Sequence, residues 1–140
     1  PYNLLNRTFE INLAEFSLRE DCGLISYSPL AFGMLTGKYI KESAPADARL
    51  NRYSHYNRYK NSMAFNATKE YVALARKWQI DPAHLAISWI LSKPFLTSVI
   101  IGFSNEQQLR HNLKSVDVHI GAELHKSIEK IHLKIPNPCP

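Results

Sequence analysis

Two segments of this 140-residue chain are built alike: Leu24–Tyr39 reads LISYSPLAFGMLTGKY, and Ser98–Leu113 reads SVIIGFSNEQQLRHNL. Each begins with an apolar run too short for a helix and passes at once into a glycine-containing turn. In the second, Ser104 stands where a helix would open. Short apolar runs of this kind suit strands buried on both faces, which pair in parallel and need long crossovers between them. Leu24–Ser28 and Thr97–Ile101 are therefore predicted to be adjacent parallel strands in an α/β layer.

The remaining pattern supplies the helices. Thr8 to about Glu20 carries Ile11, Ala14 and Leu18 roughly on one face and ends before Gly23. Ala67, Tyr71, Leu74, Ala75 and Trp78 recur at helical spacing, and Asp81-Pro82 then reads as a cap and first helical residue. Leu85, Trp89 and Ile90 follow on one side, and Lys93-Pro94 stops that helix. Packing of the two helices through Tyr71, Trp78 and Trp89 is expected, with these aromatics in the core. Ser104 and Gln107 fit a capping box, with Leu109 and Leu113 pointing inward. A last helix, about Ala122 to His132, would bury Leu124, Ile128 and Ile131. The prolines after Ile135 prevent its continuation. Phe32 to Ser62 shows little periodicity, and a connection of that length in a compact domain is more often functional or mobile than idle.

With 45% hydrophobic residues the chain can bury a core as a single domain, 1–140. Cys22 and Cys139 lack metal-type spacing, and residues 1–20 contain no apolar block, so a cytoplasmic protein without a membrane span is expected. The net charge of +5 permits an anionic partner. Arg49, Arg52, Arg58 and Lys60 interleave with Tyr53, Tyr56 and Tyr59. That pattern suits a nucleic-acid surface, a loop over a phosphate-bearing coenzyme, or a solvated loop. With no nucleic-acid motif beside it, no nucleic-acid partner is expected. The six histidines show no H-x-x-x-H spacing and there is no Gly-x-Ser-x-Gly elbow, so no metal site or serine nucleophile is predicted.

In order and spacing, the two strand–glycine–helix segments resemble the last two units of an aldo-keto reductase. That family folds as a (β/α)8 barrel and reduces carbonyls with NADPH. The resemblance covers nearly the whole chain and implies a partial TIM barrel, its last two βα units plus C-terminal helices. It implies that Tyr27 stacks on nicotinamide and that Ser28, Pro29, Leu30 and Ala31 run along the pyrophosphate, with Lys38 and Arg49 nearby. Gly102, Ser104, Gln108 and Asn112 match the family's positions for the adenosine phosphate and adenine. The chemistry is apt, since a flat ring suits a flat ring, cations suit phosphates, and a helix start offers free N–H groups.

The chain also departs from the pattern. His111 stands where an acidic residue usually adjoins Asn112, and Gln108 replaces an arginine that some relatives use on the 2′-phosphate. Tyr2-Asn3-Leu4-Leu5 resembles the segment just after the sixth strand, so the family's catalytic tyrosine, lysine, aspartate and histidine, and its cofactor-contacting glutamine, are expected upstream of Pro1. Tyr39, Lys41 and His55 lie in the wrong part of the fold to replace them, and no catalytic residue is assigned. The expected function is that of an NADP(H)-dependent carbonyl oxidoreductase by lineage, retaining half of a coenzyme site and inactive in isolation. The alternative is a non-catalytic oligomerisation or binding module. Two strands with open edges would leave Leu24, Ile25, Tyr27, Val99, Ile100 and Ile101 exposed, so a homodimer is expected.

Overall fold

The computed structural model describes residues 1–40, 44–53, 55 and 57–140. Strands β1 (Leu24–Tyr27) and β2 (Leu96–Ile100) pair in parallel. The register sets Ile25 against Ser98, Ser26 against Val99 and Tyr27 against Ile100. Helices α1 (Leu13–Arg19), α2 (Arg49–Arg52), α3 (Ser62–Lys77), α4 (Pro82–Leu91), α5 (Glu106–Leu113) and α6 (Ala122–Lys134) complete the described elements, with short 3-10 turns between them. The result is an α/β arrangement with a two-stranded sheet.

The two faces of the sheet differ. Partners in register share a face, so Ile25, Tyr27, Ser98 and Ile100 lie together and are exposed. Ser26 faces the other way and is buried. The expectation of six exposed strand residues holds fully for Ile25, Tyr27 and Ile100. Leu24, Val99 and Ile101 are half-buried.

The core lies where α3, α4 and α6 meet the N-terminal segment, with Tyr2, Leu4, Leu5, Leu85, Trp89, Ile90, Leu124 and Ile128 fully enclosed. Tyr2 stacks on Trp89 at 5.2 Å between ring centroids, and Phe95 meets Tyr2 edge-on at 5.5 Å. Each such pair adds about 0.5–1.5 kcal/mol beyond its buried area. The ends of the chain are knitted together, since Cys139 N donates to Leu5 O and Arg7 N donates to Asn137 Oδ1. Arg7 is buried, pairs with both Glu10 (2.6 Å) and Glu129 (2.9 Å), and lies over the Trp89 ring.

Several local expectations need correction. The helix expected from Thr8 to Glu20 is interrupted where Asn12 takes φ 68°, leaving a 3-10 turn and the shorter α1. Ile11 and Leu18 are consequently solvent-facing. Trp78 is not core: α3 ends at Lys77, Gln79 enters the left-handed region at φ 55°, and the indole is 41% exposed. Trp89 packs on Tyr2 instead. Leu113 is exposed while Asn112 beside it is buried. As expected, Asp81 caps α4, its Oδ1 accepting from Ala83 N and His84 N.

Candidate functional site

The parallel pairing puts the C-terminal ends of β1 and β2 at one edge of the sheet. In α/β folds with parallel strands, ligands bind at that edge because the loops and helix N-termini gather there. Both strand–glycine–helix segments open there.

After Tyr27 the backbone leaves the β region abruptly. Ser28 (φ 57°), Ala31 (φ 49°), Phe32 (φ 57°) and Gly33 (φ 88°) all take positive φ. For a residue with a Cβ this conformation is disfavoured, and several in one short turn persist only when surroundings enforce them. The enforcing contacts are visible. Buried Asn3 donates from Nδ2 to Ser28 O (2.9 Å) and to the Tyr59 hydroxyl (3.0 Å). Within the turn, Ala31 N donates to Ser28 O and Gly33 N to Leu30 O. Tyr27 is 46% exposed. The chain thus presents a half-open ring followed by a tight, fixed cradle of backbone.

Two cations lie over this cradle. The Lys38 side chain crosses Gly33, where a Cβ would fall 2.9 Å from its Nζ. The Arg49 guanidinium, delivered by α2, sits 5.8 Å from the Phe32 ring centroid. Burial lowers the pKa of Lys38; the charge of Asp47 opposes this and that of Arg49 reinforces it. Two cations beside fixed backbone, Lys38 partly desolvated and Arg49 exposed, are suited to an anion. Arg58 adds a third, close enough to the Tyr27 and Tyr59 hydroxyls that they raise its pKa. Its partnership with Tyr27 was not read from the sequence, although it belongs to the basic, tyrosine-rich stretch. Tyr56 and Lys41 lie outside the described residues.

At the end of β2, Gly102 is open, with nothing within 4 Å of where a Cβ would be. The N-cap of α5 is Asn105 rather than Ser104: its side chain accepts from Gln108 N (2.9 Å). Gln108 reaches back, its Oε1 accepting from Ser104 N (2.9 Å). The cap therefore lies one residue later than expected, because Ser and Asn are both good caps, and Gln108 reaches back to the residue before the cap rather than to the cap itself. Gly102, Ser104 and Gln108 are exposed, whereas Asn112 is largely covered. The structure thus gathers Ser28, Pro29, Leu30, Ala31, Lys38 and Arg49 around one turn, and Gly102, Ser104 and Gln108 around another.

Residues 1–133 match the sequence profile of the Aldo/keto reductase family. Protein tas of Escherichia coli K12 is 38% identical over 140 residues, which is all of this chain and 40% of that protein. An aldo-keto reductase of Babesia bovis is 34% identical over 145 aligned residues, covering 98% of this chain and 51% of its own length. The L-glyceraldehyde 3-phosphate reductase of Escherichia coli K12 is 32% identical over 122 residues, covering 83% and 35% respectively. The chain therefore spans between about a third and a half of the length of these relatives.

Proposed function

Because this chain belongs to the Aldo/keto reductase family, we propose that it supplies the C-terminal half of a coenzyme site in an NADP(H)-dependent carbonyl oxidoreductase. When bound, the coenzyme supplies the hydride. Tyr27 offers its half-exposed ring to the nicotinamide. Ser28 to Ala31 hold the pyrophosphate against fixed backbone, with Lys38 and Arg49 compensating its charge. Gly102 admits close approach of the adenosine phosphate, Ser104 and Gln108 offer polar contacts, and Asn112 supports the adenine side from its buried position. The carbonyl-protonating tyrosine and its partners belong to earlier strands of the barrel in this reading. The exposed face of Ile25, Tyr27 and Ile100 would then line the barrel interior.

The observation that carries this reading is the positive-φ turn from Ser28 to Gly33, with Lys38 and Arg49 drawn over it. Backbone strain of about 1–3 kcal/mol per residue is characteristic of ligand clamps, and two converging cations name the ligand's sign. The test is the affinity of NADPH for the chain and for Lys38→Met and Arg49→Met. Each substitution should weaken binding about tenfold or more, the worth of one charge-assisted contact. Unchanged affinity in both variants would remove the basis of the assignment.

The same exposed face favours a second reading, a non-catalytic module. Ile25, Tyr27 and Ile100 form an apolar strip beside open strand edges, which a second copy of the chain would cover.

A further inference from the structure

A group that adjoins the proposed adenine side through His111, beside Asn112, has the composition of a metal site. Asp81 caps α4, His84 lies in its first turn, and His111 projects from α5, almost thirty residues along the chain. One ligand atom from each of the three lies within 4.8 Å of the others. The Nε2 of His111 is 3.2 Å from Oδ1 of Asp81, and the two imidazoles are 4.3 Å apart between centroids. We propose that Asp81, His84 and His111 bind a divalent transition-metal ion of the zinc, nickel or copper class, joining the start of α4 to α5.

The donor set selects that class. Two imidazoles and one carboxylate match the borderline-soft ions, whereas magnesium and calcium require oxygen-rich shells. Zinc bonds of about 2.0–2.2 Å to nitrogen and oxygen separate neighbouring tetrahedral donors by about 3.3–3.5 Å. The Asp81–His111 edge already has nearly that spacing, so closing the site is left to movement of the His84 side chain. Supporting contacts are in place too. The Asp81 carboxylate is fixed by its cap hydrogen bonds to Ala83 N and His84 N. His84 Nε2 lies 2.8 Å from the His111 carbonyl oxygen. A carbonyl can only accept, so this nitrogen carries the proton of the neutral ring and Nδ1 keeps the lone pair. A backbone carbonyl fixing the tautomer in this way is a common companion of metal-bound histidine. The Asp81 and His111 side chains are 39% and 46% exposed, which leaves entry open and the remaining coordination positions to water.

Without an ion, the same three residues amount to a helix cap, a carboxylate–imidazole contact and two neighbouring rings. Asp81→Asn separates the two cases. Asn is as good an N-cap as Asp, so α4 should keep its start, but the anionic ligand is gone. The experiment is calorimetric titration of the full chain with Zn2+, paired with visible absorption of the Co2+ form. We expect one ion per chain at micromolar affinity and the intense visible bands of low-coordinate cobalt. Asp81→Asn, His84→Ala and His111→Ala should each weaken binding by about tenfold or more. In metal-free buffer Asp81→Asn should melt as the wild type does. Undiminished binding in His84→Ala and His111→Ala would mean that the ion sits elsewhere, on other histidines, and would overturn the proposal. Absence of binding below millimolar Zn2+ would overturn it equally.

Discussion

Replacing Gly33 by alanine tests whether the turn after β1 is the fixed cradle described above. The glycine has φ +88°, and an added Cβ would lie 2.8 Å from Lys38 Cε and 2.9 Å from Nζ. An L-residue in the left-handed region costs about 1–2 kcal/mol. The clash is with the far end of a flexible side chain, so it is relieved by swinging the ammonium aside and adds little to that figure. The stability loss is thus about 1–2 kcal/mol, a fall in Tm of roughly 3–8 °C for a chain of this length. Displacing Lys38 should weaken NADPH binding by about tenfold. Thermal unfolding by circular dichroism gives the first number, and titration followed by amide shifts gives the second. Gly102→Ala is the internal comparison: with open space around it, it should alter stability by less than about 0.5 kcal/mol. Because Gly33→Ala acts on binding through Lys38, the double variant Gly33→Ala/Lys38→Ala should bind no more weakly than Lys38→Ala alone. Wild-type melting of Gly33→Ala, or fully additive losses of affinity, would refute the reasoning.

Four other outcomes follow from the packing and from the proposed site. Arg7→Met should destabilise the chain by roughly 1–3 kcal/mol, since it removes the guanidinium that Glu10 and Glu129 share and leaves Glu10 only the Tyr2 hydroxyl and Lys93; urea unfolding measures it. Burial pushes the Glu10 carboxyl up, but Arg7, the Tyr2 hydroxyl and Lys93 together hold its pKa below the ordinary value. Its contribution is therefore present above about pH 4.3, the unfolded value, and is lost as pH falls from there through the depressed folded value; acid unfolding of Arg7→Met should show less of this component, the part held by Tyr2 and Lys93 remaining. On the second, non-catalytic reading, the chain should self-associate at micromolar concentration through the Ile25–Tyr27–Ile100 face, burying more than about 2,000 Å² in total. Sedimentation of the wild type and of Ile100→Lys checks this, and a monomer in both would exclude it. The chain by itself should not reduce a generic aldehyde with NADPH, because general acid–base catalysis worth about 10²–10⁴ in rate is assigned to earlier strands; turnover abolished by Tyr27→Ala would contradict that.

Much of the scaffold is legible in the sequence because local chemistry and tertiary context agree. The β1 and β2 runs are short and apolar, and Asp81-Pro82 can hardly be anything but a helix start. Disagreement arises where two local solutions are nearly equal in energy. Ser104 and Asn105 are both capable caps, and the side chain of Gln108 decides for Asn105. Asn12 and Gln79 adopt positive φ, which the hydrophobic period of the flanking residues does not report, so the first helix breaks and Trp78 turns outward. The candidate site is divided in the same way. Lys38, Arg49, Gly102 and Ser104 stand out as residue types, whereas the strain at Ser28, Ala31 and Phe32 is imposed from a distance by Asn3 and Tyr59 and has no glycine signature. The proximity of Asp81 and His84 to His111 is likewise a product of tertiary packing, invisible to any search for regular histidine spacing.

The most direct test of the coenzyme half-site is an amide-resolved NMR titration of the chain with NADPH. Binding by this chain alone should be weak, near the millimolar range, where the free energy is only about −4 kcal/mol. Even so, the shifts should concentrate at Tyr27, Ser28, Leu30 to Gly33, Lys38 and Arg49, and at Gly102, Ser104 and Gln108. Perturbations confined to α6 or to the solvent-facing side of α1, or an unchanged spectrum at saturating NADPH, would contradict the account.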